Sequence, residues 1–265
     1  MAMGWLNIIV NNNLYDELFA KRWTNGPFLV CNDIEPSGYE AFRFTSGTFE
    51  LKTRLLKQSD VQEGGDPHKF LVWDNLNNRM TYFDADSGLW EGETWTPPTK
   101  GHEGMQEHLV DGVSQAGCRP SPFNPEIDPA LTGEFQVTLK DGTVSTVKPV
   151  WEYFVERVNE YPVERVSEIT GVSADLIEKA CLTHATRIDP STGYGNGGIQ
   201  YQLAIEHSCN AIAMVRAMDS YIGLTGNWDT PGGHRGGTQG EFVFKAGLGA
   251  VRPAFRTSRP SSSTR

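Results

Sequence analysis

Apolar residues recur at helical spacing from the start of the chain: Met3, Leu6, Ile9, Val10 and Leu14. The pattern predicts a helix already under way at residue 1, because no capping residue precedes it. A second short helix is expected from Asp16 to Trp23. Asp16 would be its N-cap, with Leu18, Phe19 and Trp23 as its apolar face. From Pro27 to about Pro149 the period shortens. Strand-length apolar runs appear at Phe28–Val30, Phe70–Trp73, Met80–Phe83, Phe135–Leu139 and Thr143–Val147. Lys140-Asp141-Gly142-Thr143 predicts a type I′ hairpin turn, since Asp-Gly supplies positive φ. Asn75–Asn78 predicts a second turn, and Gly92–Pro129, rich in Gly, Pro and Thr, reads as loop.

From Trp151 the helical period returns. Trp151, Phe154, Val155 and Val158 share one face. Pro162 opens a helix with Val163, Val166 and Ile169 inward, which Thr170-Gly171 ends. Ser173 is expected to cap a third helix, with Asp175 in its first turn and Leu176, Ile177, Ala180 and Cys181 on its buried side. A long helix is expected from about Leu203 to Gly223, with Ile205, Ile212, Val215 and Ile222 among its apolar positions. A glycine-rich loop follows, from Leu224 to Gly240.

Composition narrows the class. The chain has 265 residues, enough for one or two domains with a real core. No apolar run approaches the ~18 residues of a membrane span. With 33 acidic and 23 basic side chains the net charge is −10, which argues against a nucleic-acid partner. Residues 251–265 differ: they hold four Arg and no acid, and read as a disordered basic tail. No secretory signal opens the chain. Cys31, Cys118, Cys181 and Cys209 show no Cys-x2-Cys spacing, so a four-cysteine zinc or iron–sulfur site is not expected.

Two glycine-rich stretches are the candidates for chemistry. Gly193-Tyr194-Gly195-Asn196-Gly197-Gly198 matches G-x-G-x-x-G, but no clean strand precedes it, and Asp219, about twenty positions on, falls inside a helix. The better reading is a loop whose backbone amides approach a ligand closely. The second stretch is Thr230–Gln239. Here Gly232, Gly233, Gly236 and Gly237 free the backbone, and His234, Arg235 and Gln239 offer donors. The planar fork of Arg235 suits an anionic or pterin-like ligand. Cys181, His184, His207 and Cys209 are poorly spaced for zinc. No nucleophile elbow or phosphate loop is present.

Three stretches together resemble the molybdopterin oxidoreductases of the dimethyl sulfoxide reductase family. They are Met1–Thr24, the Tyr161-Pro through Ala180 run containing Ile169-Thr-Gly-Val, and Gly193-Tyr-Gly through Leu224-Thr-Gly-Asn to Pro231-Gly-Gly. The hairpin-rich middle is similar to that of the acetylene hydratase, transhydroxylase and catechol dehydroxylase branch. The resemblance implies an α/β fold: a partial molybdopterin-binding α/β domain with a β-hairpin-rich, loop-rich insertion. Its expected parts are 1–26 (helical start), 27–149 (insertion), 150–250 (helical cofactor-domain segment) and 251–265 (tail).

It also implies a bis(molybdopterin guanine dinucleotide) cofactor carrying molybdenum or tungsten. Gly193, Tyr194, Gly195 and Asn196 would lie beside it, and Gln200 could face the active site. Gly233, His234, Arg235 and Gly236 would line a second pterin contact. The family's iron–sulfur segment, metal-ligand region and capping domain have no counterpart among these residues. The expectation is therefore an internal fragment of a larger oxidoreductase or reductive dehydroxylase, inactive alone. Its partners would be the rest of that polypeptide, an electron-transfer subunit and a small-molecule substrate. The compartment stays open, cytoplasmic or twin-arginine exported. Two alternatives remain: a non-catalytic interaction module with Trp73, Trp90 and Trp95 as surface anchors, and a dehydrogenase binding NAD at the Gly193 loop.

Overall fold

A computed structural model describes residues 1–44, 47–93, 109–110, 113–114, 124–186, 197–199, 205 and 207–227. The elements run α1 (Ala2–Asn11), α2 (Glu17–Trp23), β1 (Leu29–Cys31), β2 (Ser37–Phe44), β3 (Gly47–Thr53), α3 (Gln58–Val61), β4 (Lys69–Asp74) and β5 (Arg79–Asp84). They continue with β6 (Leu89–Trp90), β7 (Leu109–Val110), β8 (Val113–Ser114), β9 (Phe135–Thr138), β10 (Val144–Pro149), α4 (Val150–Asn159), α5 (Val163–Thr170), α6 (Ala174–Ala185) and α7 (Ala211–Leu224). Helices with small antiparallel sheets agree with the expected α/β class at that level of detail.

The helices form around α1. Leu6, Ile8, Ile9 and Val10 are all buried, so α1 is apolar around most of its circumference and packs against α4, α5, α6 and α7. Gly4 makes the α5 crossing possible: a Cβ there would stand 2.9 Å from Val166 Cγ2. Asp16 caps α2 as expected, accepting from Phe19 N at 2.9 Å. Asp16 N itself donates to Leu224 O at 2.6 Å, which ties the start of α2 to the end of α7.

The strands form a second layer. β1 pairs with β10, and β10 with β9, burying Leu29, Val137 and Val147 with Leu56 and Leu71. Val150 N donates to Phe28 O and Trp151 N to Gly26 O, so the chain leaves and rejoins the helices at one point. Arg22 fastens the layers: its Nη2 donates to Ile127 O at 2.7 Å and Asn124 O at 3.1 Å, and its guanidinium lies 5.6 Å from the Trp90 ring.

Several expectations change. The Asp-Gly turn is not type I′, because only Gly142 of the pair has positive φ (+88°). Gly142 N donates to Leu139 O and Leu139 N to Thr143 O, giving a longer loop with glycine in the left-handed position. Asn75–Asn78 does turn, with Asn78 at φ +50°. The hairpin of β2 and β3 has no counterpart among the predicted strands. On the helices, Ile169 and Leu176 are 65% and 56% exposed and Ala180 is exposed, while Val166, Ile177, Cys181 and Ala185 face the core. Ser173 sits at the N-cap of α6, but its side chain makes no capping bond; its carbonyl accepts from Leu176 N and Ile177 N instead.

The last helix begins at Ala211, not Leu203. Ser208 Oγ accepts from Asn210 N and residues 207–210 turn, so Ile205 precedes the helix and Ile212 is 73% exposed. Trp90 is 2% exposed, which removes one of the three proposed surface anchors, while Trp73 is half-buried and stacks on Phe135 at 4.6 Å. Trp95, most of Gly92–Pro129 and the 251–265 tail lie outside the described residues.

Candidate functional site

Gly193, Tyr194, Gly195, Asn196, Gln200, Gly233, His234, Arg235 and Gly236 all lie outside the described residues. What the structure places is the frame that adjoins both glycine-rich stretches in sequence. That frame is the C-terminal half of α7 with the facing turn of α6.

The first anchor is His184, in the last turn of α6. Its Nε2 is 3.2 Å from Gly197 O and its Nδ1 3.0 Å from Tyr221 Oη. A carbonyl only accepts, so Nε2 carries the proton and Nδ1 accepts from the tyrosine hydroxyl. Burial lowers the His184 pKa below its ordinary 6.5, although the Gly197 bond opposes that shift. The ring is therefore neutral at pH 7, as the hydrogen bonds require. It meets Trp5 of α1, stacked at 6.1 Å, and the Tyr221 ring at 5.4 Å, and those two rings touch each other at 5.1 Å, so the three form a triangle. Gly197 has φ +123°, a backbone state that favours glycine.

The second anchor closes α7. Thr225 Oγ1 donates to a helix carbonyl, lying 3.0 Å from Tyr221 O and 3.1 Å from Ile222 O. Asn227 Nδ2 donates to Thr225 Oγ1 at 2.9 Å, and Asn227 N to Ile222 O at 3.0 Å. Gly226, at φ +69°, turns the chain between them. Thr225 and Asn227 are 4% and 0% exposed. The Leu224-Thr-Gly-Asn string is thus a buried helix end that launches the second glycine-rich stretch from a fixed point.

Cys181, His184 and Tyr221 carry no charge near neutrality. Burial pushes the Cys181 thiol up to about 12, with the Tyr221 hydrogen bond opposing. Burial and the neighbouring thiol raise the Tyr221 phenol as well. Trp5 Nε1 is buried and has no partner among the described residues, which leaves a donor beside His184. Such a donor suits a group that accepts hydrogen bonds. It does not suit a bare metal ion. Among the described residues no three His, Cys, Asp or Glu gather as a metal site. Both nitrogens of His184 are engaged, so it cannot ligate zinc with Cys181. Asp219 sits within α7 and lines a cleft of about 410 Å³ with Phe19, Trp23 and Phe154, on a helix rather than at the strand end where an NAD ribose would be read.

Sequence reasoning treated His184 only as a poor zinc ligand and missed the roles of Tyr221, Thr225 and Asn227. The available signal was the Thr-Gly-Asn ending of an apolar helix, which reads as a cap.

No protein-family profile matches the chain. It is 49% identical over 261 residues to a dopamine dehydroxylase of Eggerthella lenta, covering 90% of this chain and 26% of that protein. It is 28% identical over 236 residues to the perchlorate reductase alpha subunit of Dechloromonas aromatica, covering 88% of this chain and 22% of the other. The dimethylsulfide dehydrogenase alpha subunit of Rhodovulum sulfidophilum is 27% identical over 233 residues, covering 87% and 20%. The chain thus spans about a quarter of the length of these relatives.

Proposed function

This chain is a homologue of the molybdopterin oxidoreductases of the dimethyl sulfoxide reductase family, and from that premise we propose that it forms part of the pterin-binding shell of a reductive dehydroxylase. The observation that carries the reading is the 49% identity to a dopamine dehydroxylase over 90% of the chain, against 28% and 27% to the perchlorate and dimethylsulfide enzymes. The substrate class is accordingly a hydroxylated aromatic ring that loses a hydroxyl group.

The cofactor is bis(molybdopterin guanine dinucleotide) with molybdenum or tungsten, and the metal supplies the redox chemistry. The residues of this chain bind and orient. Backbone amides of Gly193, Tyr194, Gly195 and Asn196 approach one pterin, and Gln200 faces the substrate side. Gly233, His234, Arg235 and Gly236 meet the second pterin, with the Arg235 fork fixing its plane. His184 holds Gly197 at the end of the first stretch, and the Thr225–Asn227 cap ends α7 just before the second in sequence. An iron–sulfur cluster belongs to a part of the enzyme outside this sequence, as does an electron-transfer subunit. Among the described residues no helix is long and apolar enough to cross a membrane.

A chimera tests the reading: the present chain replaces the aligned span of the Eggerthella lenta dopamine dehydroxylase. Near-stoichiometric molybdenum or tungsten, with pterin, in the purified chimera is expected, together with catechol dehydroxylation. A folded chimera lacking both metal and pterin would overturn the assignment.

A further inference from the structure

One side chain joins three helices to the glycine run. His184 stands on α6, its ring stacks on Trp5 of α1, it accepts from Tyr221 of α7, and it donates to Gly197. We propose that His184 is a positioning residue: its neutral imidazole pins the carbonyl of Gly197, near the end of the Gly193–Gly198 run, to α7. That this run contacts a pterin rests on the function proposed above; the pin itself does not.

The chemistry selects histidine. The position needs a donor at one end and an acceptor at the other, on a flat group that packs against two aromatic rings. A neutral imidazole meets all three needs. A glycine run has more backbone freedom than any other sequence, so an unpinned one would sample many arrangements. Among the described residues Gly197 has no neighbour within 4 Å of where a Cβ would stand. The carbonyl bond from His184 holds it, reaching back 13 residues along the chain.

The pin responds to pH. The groups facing the ring are the Tyr221 phenol from α7, the Trp5 indole from α1 and the Gly197 carbonyl. The Cys181 thiol, itself beside Tyr221, and the charged Glu178 lie on the same helix, α6. The first three carry no charge near neutrality. Protonation would place a hydrogen on Nδ1 and end its acceptance from Tyr221. Because the folded pKa lies below 6.5, the link from the ring to Tyr221 of α7 is complete above that value and is lost as pH falls further, while Nε2–H goes on donating to Gly197.

The 265-residue chain itself provides the test. Nitrogen NMR of ¹⁵N-histidine-labelled protein should show one imidazole in the neutral Nε2–H form, absent from His184→Gln. Hydrogen exchange at amides 197–199, corrected for intrinsic pH effects, should quicken about fivefold to tenfold in His184→Leu. Gln can donate and accept, so His184→Gln should recover part of the protection and lose the pH dependence below 6.5. Unchanged exchange in His184→Leu with the rest of the chain still protected would overturn the proposal. So would finding the Nδ1–H tautomer. If His184→Leu does not fold, His184→Gln and the tautomer decide. A chimera without cofactor together with a pinned Gly197 would sink the pterin reading alone.

Discussion

Replacing Tyr221 by alanine is expected to destabilise the helical layer by about 3–5 kcal/mol, the range for truncating a buried aromatic side chain. Tyr221 is 1% exposed and lies 5.1 Å from the Trp5 ring and 5.4 Å from the His184 ring. Its loss opens a cavity among α1, α6 and α7 and leaves His184 Nδ1 without its donor. Tyr221→Phe keeps the ring and removes only the hydroxyl, so its cost should be about 1 kcal/mol. Urea denaturation of the two variants separates the contributions. Equal losses would mean that the hydroxyl, not the packing, holds the layer.

The second large effect lies in the strands. Asp74 is 0% exposed, and its carboxylate accepts from Leu76 N at 3.0 Å, Asn77 Nδ2 at 2.6 Å and Asp128 N at 2.9 Å. Asp74→Ala orphans buried backbone donors and should cost about 3 kcal/mol. The same bonds set a pH dependence. Burial raises the Asp74 pKa, but the bonds from Asp128 N, Asn77 and Leu76 outweigh it and hold it below 3.8. Asp74 therefore stabilises the fold fully above that value, and the gain is lost as pH falls through its lowered pKa. Stability of Asp74→Asn should fall less steeply between pH 5 and 2, which a series of denaturation midpoints would measure. An unchanged slope would rule out the carboxylate as the cause.

The sequence carried more of the helices than of the strands. α1 and α2 were legible because their apolar positions follow a helical period and Asp16 marks the boundary. On α6 the period was right but the face was rotated. Leu176 and Ala180 are as apolar as Ile177 and Cys181, so pattern alone could not choose between adjacent stripes. Packing against α1 chose Ile177, Cys181 and Ala185. The β2–β3 hairpin escaped because its register shifts between Glu40 and Phe42, which breaks the two-residue alternation a strand shows. The two glycine stretches stood out by composition and family resemblance. Their anchors did not, because His184 and Tyr221 are 37 residues apart and no local pattern links them.

The central claim is that the two glycine stretches form a pterin-binding shell. Hydrogen exchange on the chimera, purified with cofactor and after cofactor depletion, measures this directly. Slower exchange in the loaded form is predicted for peptides covering 193–200 and 230–239, with the β4–β5 hairpin unchanged. Cofactor-dependent protection confined to other parts of the chimera, with both stretches unaffected, would contradict it.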